Sequence, residues 1–276
     1  MLLRALFQRP ASILAGQAGA SYRLDRIDTD HVRRYREAFG FQGDAVPLTY
    51  LYLLAQRAQL ATMLARPIPF RIPGLVHVEN RLAMPGPVPL DTPLVLATTL
   101  RLPPPAANGA LHCLLETRAF DGERLAFSCD STYLVKRGSR AGRTPVQADN
   151  PSGQALGGWM VPSDAGRRYA ALSGDWNPIH LWPWTARLMG MRAPIIHGAH
   201  TLAQACSLLQ AQSGQELASV WCRFRQPVPL GANVVLFAGE NEDGFTVRCN
   251  GRLAIEGSSS ATPCPSPAVA AHPAAE

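Results

Sequence analysis

Asp175, Asn177 and His180 stand close together in the stretch LSGDWNPIHL (172–181), among the packing residues Leu172, Trp176, Ile179 and Leu181. A carboxylate and an imidazole are the side chains best suited to take up and return protons near neutral pH. Pro178 fixes its own φ and steers Asn177 away from the helical region, so Asn177-Pro178 predicts a turn that can bring Asp175 and His180 to one point. There they could share a water molecule, with the Asn177 amide holding the aspartate or the loop backbone. The alternative is that Asp175 and Asn177 only cap the turn while His180 packs inside, and for such a motif standing alone that is the better reading. His197 and His200 have a spacing that metal ligands on a helix can use, but no third ligand stands out, and no metal site is assigned.

Two long elements and a set of strands must position this loop. PLTYLYLLAQRAQLATMLA from Pro47 and HGAHTLAQACSLLQAQ from His197 predict helices. In the second, Leu202, Ala205, Cys206 and Leu209 recur at helical spacing, and Gly214 is a natural stop. The runs LVHVENRL, PLVLATTLRL, ALHCLLETRAF and RLAFSCDSTYLV follow the first helix, and SVWCRFRQ, NVVLFAGE, FTVRCN and RLAIEGSSS follow the second. All eight predict strands, with hairpin turns at FDGE, EDGF and CNGR.

The chain also repeats itself. PVPLDTPLVL (87–96) is answered by PVPLGANVVL (227–236), and GERLAFSCDST (122–132) by NGRLAIEGSSS (250–260). The order is kept, which indicates a duplicated unit. One long helix against a meandering antiparallel sheet, twice over, is an α+β plan. The expected boundaries are a first domain over 1–136, a Gly/Pro/Ser/Arg-rich linker over 137–158, a second domain over 159–260, and a disordered tail over 261–276. The first copy is shorter ahead of its helix and has no counterpart of Gly-Asp-x-Asn-Pro-x-His. The chemistry is therefore expected in the second copy alone, with the first supplying walls.

Composition narrows the remaining classes. The 276 residues carry 26 basic and 20 acidic side chains, but Lys136 is the one lysine. An arginine skew of that kind reads as base composition, so nucleic acid is not an expected partner. Arginine suits bidentate phosphate contacts, which leaves a phosphate-bearing small substrate open. No apolar run is long enough to span a bilayer. The six cysteines form no C-x-x-C pair and read as free thiols in a reducing compartment. The N-terminal stretch is acid-free and contains arginine, as a transit peptide would be, but it lacks a continuous apolar core; a cytoplasmic chain is expected. There is no P-loop, G-x-G-x-x-G or nucleophile elbow, which argues against nucleotide hydrolysis, nicotinamide chemistry and serine hydrolases.

Over a longer span the motif ceases to be isolated. YAALSGDWNPIHLWPWTARLMGMRAPIIHGAH, with Tyr169, Ser173-Gly174-Asp175, Asn177-Pro178, His180, Pro194 and His197-Gly198, resembles the signature of the MaoC-like, R-specific enoyl thioester hydratases. GLVHVENRL and STYLVKR in the first half are similar to the fused members of that family. The resemblance implies two tandem hotdog folds forming a pseudo-dimer within one chain, the second catalytic. It implies reversible hydration of a trans-2-enoyl thioester to the (3R)-3-hydroxyacyl thioester, with no metal or cofactor. Asp175 and His180 would hold the water, Asn177 would support them, and the Gly198 backbone N–H would meet the thioester oxygen as it gains charge. The expected substrate is an acyl-CoA or an acyl-carrier-protein thioester, and the chain would act as a monomer or a homodimer. A hotdog thioesterase and a non-catalytic acyl-thioester-binding subunit are the competing functions.

Further residues are expected at the edge of such a site. Cys206 and Leu209, further along the second helix, could touch the acyl chain, with core packing an equal alternative. Arg223, and with it Arg187, Arg192 and Arg225, could meet phosphates. Trp182 and Trp184 are expected in the core, and His77 on a strand beside a structural partner.

Overall fold

The computed structural model describes residues 18–136 and 153–262. Ten strands run in chain order: β1 (Ala18–Leu24), β2 (Val76–Ala83), β3 (Leu94–Arg101), β4 (Leu111–Asp121), β5 (Arg124–Lys136), β6 (Ala155–Met160), β7 (Ser219–Phe224), β8 (Asn233–Ala238), β9 (Gly244–Cys249) and β10 (Arg252–Ser260). They form one antiparallel sheet in the order β1-β3-β4-β5-β2-β7-β10-β9-β8-β6. That order is a palindrome of two like units. Each unit's first strand lies at an outer edge, and its second strand lies at the centre. The repeated sequences fall at corresponding places, one pair leading into β3 and β8, the other opening β5 and β10. The expected duplication is therefore present in the fold.

Between β1 and β2 come α1 (Thr29–Phe39) and α2 (Leu48–Ala65); in the second unit α3 (Ala165–Ser173), α4 (Pro183–Leu188) and α5 (Gly198–Ser213) precede β7. Helix α2 is apolar nearly all round, with Leu48, Tyr50, Leu51, Tyr52, Leu53, Leu54 and Ala55 all buried. Such a helix is stable only inside a core, and it lies along β1–β5. Helix α5 takes the matching place in the second unit, packs on β6 and α2, and ends at Gly214 in the left-handed region (φ 66°). One continuous core joins the two units. Asp28 caps α1, its side chain accepting from the His31 N–H at 3.0 Å. His31 then crosses to the second unit, donating from Nε2 to the Leu172 carbonyl (2.7 Å), while its Nδ1 accepts from the Tyr50 hydroxyl (3.1 Å).

Both long helices and all eight expected strands are present within a residue or two of their predicted limits. Strand β6 starts at Ala155, inside the segment expected to be linker, because ALGGWM pairs with β8. The rest of that segment, residues 137–152, lies outside the described residues, as do 1–17 and most of the expected tail. Strand β1 and helices α1, α3 and α4 were not anticipated. No helix among the described residues is long and apolar enough to cross a membrane. Five cysteines are free and buried, as expected; Cys264 lies outside the described residues.

The two units meet where β2 pairs with β7, with Glu79 opposite Arg223 and Arg81 opposite Trp221. Glu79 accepts from Trp221 Nε1 (2.9 Å) and from Arg223 Nε (2.8 Å) across this seam. Burial alone would raise the Glu79 pKa, but those two bonds outweigh it and hold the carboxyl below 4.5. A depressed folded-state pKa contributes stability above the unfolded value and loses it as pH falls through the folded one. The pair is partly exposed, so Glu79→Gln should cost no more than about 1 kcal/mol near neutral pH. Thermal melts should show the two proteins converging as pH drops below that of an ordinary glutamate; a gap that widens on acidification would contradict this reading of the seam.

Candidate active site

The loop that carries the acid and the histidine begins at the end of α3. Ser173 Oγ donates to the Tyr169 carbonyl (2.8 Å) and accepts from the Asp175 N–H (3.2 Å). Gly174, left-handed at φ 81°, closes the helix and turns the chain toward the cavity. Asp175 Oδ1 accepts from the Asn177 backbone N–H (3.2 Å), and Asn177 Oδ1 accepts from the Ile179 N–H (3.4 Å). That last bond caps a single 3-10 turn over Pro178–His180. Asn177 thus supports the aspartate through its main chain, while its side chain holds the turn. The turn packs directly under α3: a Cβ on Gly166 would come within 1.8 Å of the His180 carbonyl oxygen.

His180 is 8% exposed, and its Nδ1 donates to the Ile195 carbonyl at 2.8 Å. This bond fixes the tautomer and leaves Nε2 with an acceptor lone pair. Burial lowers the His180 pKa below 6.5, and the nearby Asp175 and the Ile195 carbonyl oppose that only in part. His197 stacks on His180, with ring centroids 3.6 Å apart and planes 28° from parallel. Its Nε2 donates to the Asp175 carbonyl at 2.9 Å, tying the start of α5 to the loop. Burial, then the neighbouring His180, push the His197 pKa well below its ordinary value. Burial thus favours the neutral form of both rings.

Asp175, His180 and His197 each bring a ligand atom within 4.8 Å of the others, which supplies the third group that sequence spacing did not offer for a metal. Their arrangement suits hydrogen bonding better than ion binding. The two imidazoles stack face to face, and His180 Nδ1 and His197 Nε2 are each occupied by a backbone carbonyl. His200 is not part of this set. It is half-buried, its ring edge-on to Phe39 and Tyr169, and desolvation lowers its pKa to about 4.

Asp175, Asn177, His180 and Gly198 all line one cavity of about 480 Å³, which runs between the two units. Gly198 is the first residue of α5, whose N-cap His197 gives no side-chain cap; the His200 and Thr201 N–H groups donate to the His197 carbonyl, and those of Gly198 and Ala199 have no helical partner. The glycine is required by the opposite wall, because a Cβ there would lie 2.8 Å from the Phe224 ring. The first unit contributes Tyr52, Gln56, Arg57, Leu60, Met63 and His77, among others. Gln56, on α2, donates from Nε2 to Asp175 Oδ2 at 3.1 Å.

The family of MaoC like domains matches residues 144–250 of this chain. The 3-hydroxyacyl-thioester dehydratase X of Mycobacterium tuberculosis is 29% identical over 226 residues, 79% of each protein. The crystal structure of that dehydratase, HtdX, superposes with a TM-score of 0.69 at 25% identity, covering 87% of this chain and 99% of the other. The chain is thus similar to MaoC-like dehydratases, with the family match falling in its second half. The peroxisomal multifunctional enzyme type 2 of Drosophila melanogaster is 32% identical over a shorter stretch, 41% of this chain and 21% of that protein. Its full-length structure shares the fold at a TM-score of 0.66.

Of the residues expected at the edge of the site, Arg225 lines the cavity and Cys206, Leu209, Arg187, Arg192 and Arg223 do not. Cys206 is fully buried in the core and Leu209 packs against that core; neither lines the cavity, because α5 turns that face toward its sheet. Arg223 is held by Glu79 and lies over Trp221, away from the cavity. Arg225 does line the cavity but is paired with Glu256. Trp182 and Trp184 are exposed, at 38% and 63%, since Thr185 and Ala186 take the inward positions of α4. His77 has the expected partners, Tyr52 and Asn80, both at 3.3 Å, and burial lowers its pKa to about 4. Gln56 was missed; the first unit was expected to supply walls and none of the chemistry, and nothing in QRAQ signals a partner 119 positions away. Gly198→Ala should destabilise the fold by about 1–3 kcal/mol through overpacking against Phe224, and Phe224→Leu in the same chain should restore part of the loss. A Gly198→Ala protein with unchanged melting temperature would contradict the contact.

Proposed function

We propose that this protein is a hydro-lyase that reversibly adds water across the 2,3 double bond of a trans-2-enoyl thioester, giving the (3R)-3-hydroxyacyl thioester. One observation carries the reading: two hydrogen-bond acceptors, the Asp175 carboxylate and His180 Nε2, lie beside the unoccupied N–H groups of α5 in one cavity. A water donating one hydrogen to each acceptor has its oxygen lone pair left to attack C3. As the C3–O bond forms, electrons move through the double bond onto the thioester oxygen, and the water gives one proton to the acceptor pair. The pair returns a proton to C2, so that water is added overall and the site ends unchanged.

The developing charge on the thioester oxygen falls to the Gly198 N–H. A helix N-terminus favours negative charge, and one such donor is typically worth about 3 kcal/mol of barrier. Leu60, Met63, Ile72 and Leu75 of the first unit give the cavity an apolar wall suited to an acyl tail longer than four carbons. Arg57, exposed at its edge, is placed to meet the phosphates of coenzyme A or of a carrier-bound pantetheine arm. Because the two units already pair inside one chain, a monomer suffices for the site. The free buried thiols suit a reducing cytoplasm.

Loss of the enoyl absorbance should be followed with crotonyl-CoA and a longer trans-2-enoyl-CoA. Wild type should be active, and Asp175→Asn and His180→Gln should each lose about 10²–10⁴-fold in kcat while remaining folded. The imidazole must be neutral to accept a hydrogen, so kcat/KM should be level at neutral pH and fall only below pH 6.5, as His180 takes up a proton. Release of free thiol without hydration would identify a thioesterase. Inactivity on both coenzyme A and carrier-protein thioesters would favour a binding subunit.

A further inference from the structure

We infer that Gln56, from the unit that lacks the acid–histidine motif, is a positioning residue for the reaction, holding the Asp175 carboxylate in the orientation it needs to share a water with His180. The inference rests on the hydratase reading and adds to it a contribution from the first unit. Asp175 has two described side-chain bonds, one at each oxygen: Asn177 N–H at Oδ1 and Gln56 Nε2 at Oδ2. The first comes from the aspartate's own loop and permits the carboxylate to swing about its Cβ–Cγ bond. The second comes from a helix anchored across the pseudo-dimer, and two fixed points define a plane where one does not. A carboxylate oxygen only accepts, so the Gln56 side chain must present its amide N–H there. Each oxygen keeps a further lone pair for the water.

The elements around Gln56 make that anchor rigid. The neighbouring Tyr52, Leu53, Leu54 and Ala55 are buried, and so are Ala58 and Gln59. Gln59 also lines the cavity, but its side-chain nitrogen donates to the Leu115 carbonyl (3.3 Å). Gln56 alone of the two places its nitrogen on Asp175, and no other residue of the first unit donates to that carboxylate among the described residues. Loss of a positioning hydrogen bond that does not touch substrate should lower kcat and leave KM nearly unchanged.

The test is steady-state hydration of a trans-2-enoyl-CoA across pH by wild type, Gln56→Leu and Gln56→Glu. It is combined with NMR titration of the His180 imidazole in all three, which reports the placement of Asp175 whether or not a substrate turns over. Gln56→Leu should lose about 10–100-fold in kcat, with KM within about threefold, at every pH. Gln56→Glu replaces the donor with an isosteric acceptor. It should lose at least as much at neutral pH, and its deficit relative to wild type at the same pH should narrow as pH falls and the new carboxyl gains a proton to donate. In the NMR titration, Gln56→Leu should move His180 down, because Asp175 is freed from it, and Gln56→Glu should move it up through the added charge. A Gln56→Leu protein with kcat within twofold of wild type and an unmoved His180 titration would overturn the assignment. So would a loss confined to KM, or one explained by unfolding in a variant whose isosteric partner Gln56→Glu is fully active at neutral pH. Should wild type itself prove inactive on the thioester, the hydratase reading fails, while the His180 titrations still decide whether Gln56 places Asp175.

Discussion

The hydrogen bond from His180 Nδ1 to the Ile195 carbonyl is the interaction on which the rest of the site depends. It selects one tautomer and so makes Nε2 an acceptor. The carbonyl is itself fixed from several sides: Ile195 N–H donates to the Ile179 carbonyl (3.2 Å), Ile196 N–H donates to the Val228 carbonyl (2.8 Å), and Ile195 bridges to Pro229. The segment between the motif and α5 is thereby stitched at one end to the turn and at the other to the strand side of the cavity. Burial then favours the neutral imidazole: a charged ring in that position would have to be desolvated, and the nearby Asp175 and the Ile195 carbonyl offset that only in part.

The same constraint explains why two units are needed. A carboxylate, two imidazoles and a row of helix N–H groups cannot be left facing open solvent if a water is to be held in one place, and the second unit does not enclose them alone. Helix α2 and strand β2 of the first unit close the cavity with apolar side chains and place one amide on the aspartate. Pairing of β2 with β7, the crossing bond from His31 to Leu172, and the continuous core make this enclosure permanent rather than dependent on a second molecule.

Much of this was legible in the sequence. The two long helices, eight strands and the duplication follow from periodicity and self-similarity, and the acid, the histidine and the glycine that open the cavity follow from the motif. Strands β1 and β6 were not, because AGASYRL and ALGGWM are edge strands rich in small residues, whose pairing partner and not their own pattern makes them strands. Cys206, Leu209 and Arg223 were misplaced for a common reason. Helical or strand spacing says which residues share a face but not whether that face meets the cavity or the sheet. Gln56 had no local signal at all, since its role depends on a contact between units that only the fold creates.

The central claim is that a single water, held between Asp175 and His180, supplies both new bonds. It is tested most directly by hydrating a trans-2-enoyl-CoA in deuterated water and determining the configuration at C2 and C3 of the product. Oxygen and deuterium delivered by one fixed pair must arrive on the same face, giving a single (3R) product with syn placement of the C2 deuterium. Anti placement, or a mixture of configurations at either carbon, would contradict the account.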